Sequence, residues 1–228
     1  MEIVLGIDNV IFISILADKL PARQREAARR VGLSLAVGLR IVLLLLIGWI
    51  VGLQESLFHI GSLGISGRDL ILFFGGLFLV LKTLSELRQK TAVPKPSALS
   101  AQAQAGHTFA GIVLQIIMID LVFSFDSILT AVGLVDSVAL MIVAVLVSAV
   151  LMVVTAKTVS EFVSRHPSVK ILALSFLLLI GGFLMLEAVD ITLAKGYLYF
   201  GMGFGLLNEL LNMRYRKARA LAEGQPLE

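Results

Sequence analysis

The sequence predicts an all-α membrane protein with about seven transmembrane helices, arranged as two inverted three-helix repeats plus a C-terminal helix. Three observations carry that expectation. The composition is strongly apolar, basic residues gather in every second connection, and one acidic motif occurs twice inside apolar runs.

Hydrophobic residues make up 58% of the 228, charged residues only 15%, and the mean hydropathy is +0.96. A soluble domain of this length needs a far more polar surface. Cysteine is absent, which excludes disulfides, thiolate metal sites and cysteine nucleophiles. A formal charge of +3 gives no sign of nucleic acid. No basic region precedes the first apolar run, so a cleavable signal peptide is not expected.

Seven apolar segments follow in order, approximately 2–17, 31–53, 69–87, 108–134, 137–156, 169–187 and 196–213. The first leaves about sixteen residues where a helix crossing a ~30 Å core needs about twenty, which predicts a short helix or one lacking its N-terminal part. The fifth is the cleanest, with 20 uncharged residues from Ser137 to Ala156. The third and sixth hold 12 and 16 uncharged residues before Lys82 and Glu187, and span only if those side chains reach an interface or a polar interior.

Charge sets the orientation. Lys19, Arg23, Arg25, Arg29 and Arg30 lie between segments one and two; Arg88, Lys90 and Lys95 follow the third. Lys157, Arg165 and Lys170 lie between the fifth and sixth, and Arg214, Arg216, Lys217 and Arg219 follow the last. The alternate connections offer Arg68, then none at Val135-Asp136, then Lys195. By the positive-inside rule the N-terminus is expected outside and the C-terminus in the cytoplasm, in agreement with an odd number of crossings.

The linker-like stretch Gln89–Gly106, rich in Ala, Ser, Gln and Pro, divides the chain. The expected organisation is a first repeat over 1–88, a cytoplasmic linker over 89–107, a second repeat over 108–190, and a seventh helix with a basic tail over 191–228. Because helices one and four would run in opposite directions, the repeats are expected to be inverted. Phe74-Gly75-Gly76-Leu77-Phe78 and Ile180-Gly181-Gly182-Phe183-Leu184 echo each other in helices three and six. Small residues in membrane helices also simply permit close packing.

The chemistry lies in the duplicated motif. Glu2-Ile-Val-Leu-Gly-Ile-Asp8-Asn9 and Asp120-Leu-Val-Phe-Ser-Phe-Asp126-Ser127 each place an aspartate six residues after an acid, followed by a small polar residue. A carboxylate at the centre of a bilayer costs at least ~2.5–3.5 kcal/mol, so such groups point to a function. Six residues turn a helix through about 600°, leaving the two acids of a motif roughly 120° apart. A helix break near Gly6 or Ser124 would bring them closer and free backbone carbonyls. The candidate metal ligands are Glu2, Asp8, Asn9, Asp120, Asp126 and Ser127, an all-oxygen set suited to Mn²⁺, Mg²⁺ or Ca²⁺ as substrate rather than as a tightly bound cofactor. His59, His107 and His166 fall in loops or at segment ends. The competing reading pairs these acids with Arg40 or Lys82 purely to hold the bundle together.

Arg40, ten residues into helix two, is either a counter-ion that occupies the acids when no cation is bound or a structural partner. Lys82 is expected to snorkel. Tyr197 and Tyr199 fit an interfacial belt. Glu209, five residues before Arg214, belongs either to the interface or to coupling and gating along the cation path.

The stretch Glu2-Ile-Val-Leu-Gly-Ile-Asp-Asn-Val-Ile-Phe-Ile resembles the opening motif of the TerC family of integral membrane proteins. Further matches follow in order. They are Lys19-Leu-Pro with Ala28-Arg29-Arg30, and Arg68-Asp69-Leu-Ile-Leu with Gly75-Gly76-Leu-Phe-Leu. Next come Ile117–Asp120 with Phe125-Asp126-Ser127-Ile-Leu-Thr-Ala-Val-Gly133, and finally Lys195-Gly-Tyr-Leu-Tyr-Phe with Glu209 and Asn212. Within the family the chain is similar to the bacterial inner-membrane YgdQ-like branch, which lacks appended cytoplasmic domains. The resemblance implies a transporter of the LysE-type group, linked to export of divalent cations, chiefly manganese, to metal supply for exported enzymes, and to tellurite resistance. The family's acidic motif residues fall on Glu2, Asp8, Asn9, Asp120, Asp126 and Ser127. Family members usually carry further apolar residues ahead of this motif, which predicts a start truncated relative to theirs.

The leading expectation is therefore a non-enzymatic divalent-cation exporter in the bacterial inner membrane. Its expected partners are the lipid bilayer and the metal cation, with a homo-oligomer or an exported metalloenzyme as candidates and no nucleic acid. Proton or Ca²⁺ antiport would use the same carboxylates. An amino-acid exporter would need a positive group at the midplane, for which Arg40 is the candidate. A non-transporting partner in metal supply or tellurite resistance is a further alternative. An aspartyl-protease dyad would need carboxyls sharing a proton, and the Gly-x-Gly-Asp signature expected of intramembrane aspartyl proteases is missing at Asp8 and Asp126.

Overall fold

The computed structural model describes residues 2–60, 63–91, 108–133, 137–191 and 193–223. Every apolar segment read from the sequence is helical over most of its described residues. The elements are α1 (Glu2–Ala17), α2 (Ala22–Leu45), α3 (Ile47–Gly52), β1 (Ser56–Ile60), β2 (Leu63–Ser66), α4 (Gly67–Thr91), α5 (Phe109–Val132), α6 (Val138–Arg165), α7 (Pro167–Glu187) and α8 (Lys195–Ala222). Four of them, α4 to α7, are long and apolar enough to cross a membrane by length and composition. The sixteen residues of α1 fall short of that length, while α2 and α8 carry charged ends. Residues 92–107, most of the linker, and the turn at Val135-Asp136 lie outside the described residues.

The structure departs from the sequence reading in three places. The second apolar segment is interrupted at Leu46, so that α3 is a separate short helix exposing Trp49. An antiparallel hairpin follows it, with Phe58 opposite Ile65 and Ile60 opposite Leu63. Finally, α5 runs without interruption through Ser124, and α1 runs through Gly6. The break that would have freed backbone carbonyls at the acidic motifs is absent from both helices.

Local chemistry defines the helix ends. Ser66 caps α4 reciprocally with Asp69: its backbone N–H donates to Asp69 Oδ2 at 2.9 Å, and Asp69 N–H donates to Ser66 Oγ at 3.2 Å. Thr108 Oγ1 accepts from Gly111 N–H to start α5, and Pro167 opens α7, where its missing N–H is not needed. The C-terminus of α7 closes with Ile191 N–H donating to Leu186 O and Asp190 N–H to Glu187 O. This bond pair places Asp190 in the left-handed region at φ 60° and turns the chain toward α8.

Packing is dominated by three pairs, α4 with α7, α1 with α6, and α2 with α5. The α4–α7 seam is close because it is glycine-lined. A Cβ added at Gly76 would lie 2.6 Å from Gly181 O, and one at Gly181 would lie 3.0 Å from Gly76 O. Gly75 faces α5 instead, where a Cβ would meet Val122 at 2.7 Å, whereas Gly182 has no neighbour within 4 Å. Three of the four glycines in the paired echo thus serve close packing.

Polar contacts gather at the two ends of the bundle. At one, Lys19 pairs with the buried Glu86, which Lys82 also approaches at 3.6 Å. Here Asp18 accepts from Lys170 at 2.6 Å and from Ser164 at 3.3 Å, Arg29 donates to Ser160, and Arg216 donates to Ser168. Lys82 therefore has a carboxylate partner one helical turn away rather than only a snorkelling stem. At the other end Arg68 pairs with Glu187. The ends of α1, α4, α6 and α8 thus meet the start of α7 in one layer.

Candidate functional site

Asp120 lies within α5, 4% exposed, and Arg40 lies within α2, 2% exposed. Arg40 Nη2 donates to Asp120 Oδ1 at 2.6 Å and its Nε to Oδ2 at 3.2 Å, a two-pronged contact that fits the planar guanidinium. Asn9 of α1 adds Nδ2 to Oδ1 at 3.2 Å, and Ser124, one turn along α5, adds its hydroxyl to Oδ2 at 3.1 Å. Four donors therefore occupy the roughly four acceptor positions of one carboxylate. Beside them Phe12 stacks on Phe123 with ring centroids 6.5 Å apart. A small cavity lined by Asn9, Phe12, Ile13, Leu16, Ile116 and Asp120 adjoins the cluster.

Asp126 has a different environment. Six residues further along α5, about 9 Å at 1.5 Å per residue, it meets Lys195, the first residue of α8. Lys195 Nζ donates to Asp126 Oδ1 at 2.9 Å, to Oδ2 at 2.8 Å and to Thr130 Oγ1 at 2.7 Å. The Thr130 hydroxyl in turn donates to Asp126 O at 2.9 Å, leaving its lone pairs to face the ammonium. This cluster is open: the Lys195 and Asp126 side chains are 22% and 18% exposed.

Of the six candidate metal ligands, the structure brings Asn9 and Asp120 together. Asp126 sits against Lys195, and the Ser127 hydroxyl donates to Ser124 O within its own helix at 3.2 Å. The side chains of Glu2 and Asp8 lie outside the described residues. Among the described residues no three acidic or histidine side chains form a ready metal cage. Glu209 accepts from Arg216 at 2.9 Å, at the end of the bundle where α7 begins.

Lys195, Thr130 and Ser124 are members of these two clusters that the motif reading did not assign as ligands. Both hydroxyls carried a legible signal, since each follows an aspartate by four residues and so shares its helix face. The first motif has no such support, with Gly6 and Phe12 at the corresponding positions. Lys195 gave no local signal, because its partner lies 69 residues away.

Apolar helices enclosing a saturated charge pair, with a second pair at an open end, define a multi-spanning membrane protein with ionisable groups in its interior. The particular family follows from the sequence: the chain matches the integral membrane protein TerC family over residues 1–221, and it belongs to that family. It is 44% identical over 217 residues to a UPF0053 protein of Haemophilus influenzae, covering 95% of this chain and 91% of the relative. It is 45% identical over 221 residues to the UPF0053 inner membrane protein YgdQ of Escherichia coli K12, covering 97% and 92%. The UPF0053 protein YegH of the same organism is 43% identical over all of this chain but only 43% of its own length. No solved structure matches.

Proposed function

We propose that this chain is an inner-membrane transporter that exports a divalent metal cation, with Mn²⁺ the leading substrate, through the duplicated acidic motifs. The observation that carries the reading is Asp120, a buried carboxylate whose charge is balanced by Arg40 from another helix. A partner on a separate helix can be exchanged for a cation when the helices move, which a fixed covalent arrangement would not allow.

The proposed architecture is seven crossings in two inverted repeats plus α8, with the N-terminus outside and the C-terminus cytoplasmic. Packing supports it. If α1, α2 and α4 correspond to α5, α6 and α7, then α1–α6 and α2–α5 are exchanged by a two-fold axis, and α4–α7 lies on it. The reciprocal approach of Gly76 and Gly181 fits that axis. The basic layer formed by Lys19, Arg29, Lys82 and Lys170 fits a cytoplasmic face. The inner-membrane location rests on the relatives carrying that name.

A second reading draws on the four donors around Asp120, which would equally suit a permanent lock in a non-transporting partner protein. Cellular manganese, measured by elemental analysis in a manganese-sensitive strain lacking its exporter, separates the two. Wild type is expected to lower it, while Asp120→Asn and Asp126→Asn, inserted at equal levels, should not. Unchanged manganese with well-expressed wild type would remove manganese export and favour another cation or the partner role.

A further inference from the structure

The two charge pairs on α5 differ in a way that the duplicated motif does not explain. Asp120 is saturated and closed off. Asp126 accepts only from Lys195 among the described residues, through one contact per oxygen, so each oxygen retains acceptor capacity, and the group reaches the surface. Its partner is also unusual. All three N–H bonds of the Lys195 ammonium point into one cradle of three oxygens, two from Asp126 and one from Thr130, at 2.7–2.9 Å. These three oxygens form part of a shell for a hard divalent ion, which takes about six or more oxygens and would complete it with water.

The placement of Lys195 is not explained by helix stability. It is the first residue of α8, where the positive end of the helix dipole disfavours a cation, and Ala194 before it offers no side-chain cap. The helix it opens, α8, packs far less extensively on α7 than α4 does. The ammonium therefore sits on a long stem at the end of a lightly held helix, from which it can leave the cradle and return.

We infer that Lys195 is a tethered competitor for the Asp126–Thr130 cradle: a divalent cation binds there by displacing the Lys195 ammonium, which returns to the carboxylate when the ion departs. As a device in turnover this rests on the transport reading; as a competition for binding it does not. The lysine weakens cation binding at Asp126, keeps the carboxylate neutralised between ions, and favours release over retention.

The test is equilibrium dialysis of Mn²⁺, with Ca²⁺ and Mg²⁺ alongside, against the purified full chain in detergent, with folding checked by size-exclusion chromatography. Lys195→Met and Lys195→Gln are each expected to bind at least one of these ions roughly two- to fivefold tighter than wild type, the scale of a partly exposed ion pair. Lys195→Arg should retain weak binding, and Asp126→Asn added to Lys195→Met should erase the gain. Unchanged or weaker binding in both neutral variants would overturn the competition, as would a gain that survives Asp126→Asn, or the loss of folded protein in both. Flux of the same ions into proteoliposomes is read separately. A gain in binding with no wild-type flux retains the competition and removes the transport reading; flux without any gain does the reverse.

Discussion

Arg40 and Asp120 stand 80 residues apart in the chain and meet inside the bundle through two hydrogen bonds of 2.6 and 3.2 Å. Both groups are withdrawn from solvent, so removing either one leaves the other charge buried without the ion pair that balances it here. Arg40→Met and Asp120→Asn are each expected to destabilise the protein by about 3–5 kcal/mol. The double variant Arg40→Met with Asp120→Leu should recover most of that loss while remaining inactive in export. Thermal unfolding of the purified variants in detergent measures the first expectation and cellular manganese the second.

The α4–α7 seam yields a sharper contrast. Gly76→Ala would drive a methyl group against Gly181 O and is expected to cost about 1–3 kcal/mol. Gly182→Ala, one residue beyond that contact, meets open space and should be neutral or stabilising by up to about 1 kcal/mol, the helix-propensity difference. If both variants shift the unfolding temperature equally, the seam is not where the structure puts it.

At the basic end of the bundle, Asp18 accepts from Lys170 across 152 residues. These side chains are partly exposed, so Lys170→Asp alone should cost no more than about 1 kcal/mol from the lost pair, plus a repulsion of similar size. The charge-reversed double variant Asp18→Lys with Lys170→Asp should restore part of the loss. Unfolding midpoints of the two single variants and the double variant give the coupling between them.

Asp190 holds a left-handed backbone that an aspartate tolerates and a β-branched residue does not. Asp190→Gly is expected to stabilise the turn by up to about 1 kcal/mol and Asp190→Val to destabilise it by about 1–2 kcal/mol. Because this turn leads into Lys195, the valine variant should also change cation binding, which the same dialysis measurement reads.

Much of this was legible in the linear chain. The seven apolar segments, the acidic motifs and the TerC membership all follow from composition, spacing and ordered motifs, since an apolar run long enough for a helix satisfies its own backbone wherever it packs. Three local features escaped. The interruption at Leu46 and the hairpin after it lie in a stretch whose apolar residues suit helix and strand alike. The continuity of α5 through Ser124 depends on a serine whose hydroxyl bonds the carboxylate one turn back instead of competing for backbone groups.

The sequence by itself determined that carboxylates would lie within apolar helices and which residues they would be. Only the tertiary structure decided what each one faces. Spacing along α5 sets the angle between Asp120 and Asp126, but the partner at each angle depends on which helix packs there and at what height. That is a property of contacts across 80 and 69 residues, and no local pattern encodes it. Hence Arg40 could be read only as a candidate partner, Lys195 only as a loop charge, and the difference between a closed pair and an open one emerged only when the helices were assembled.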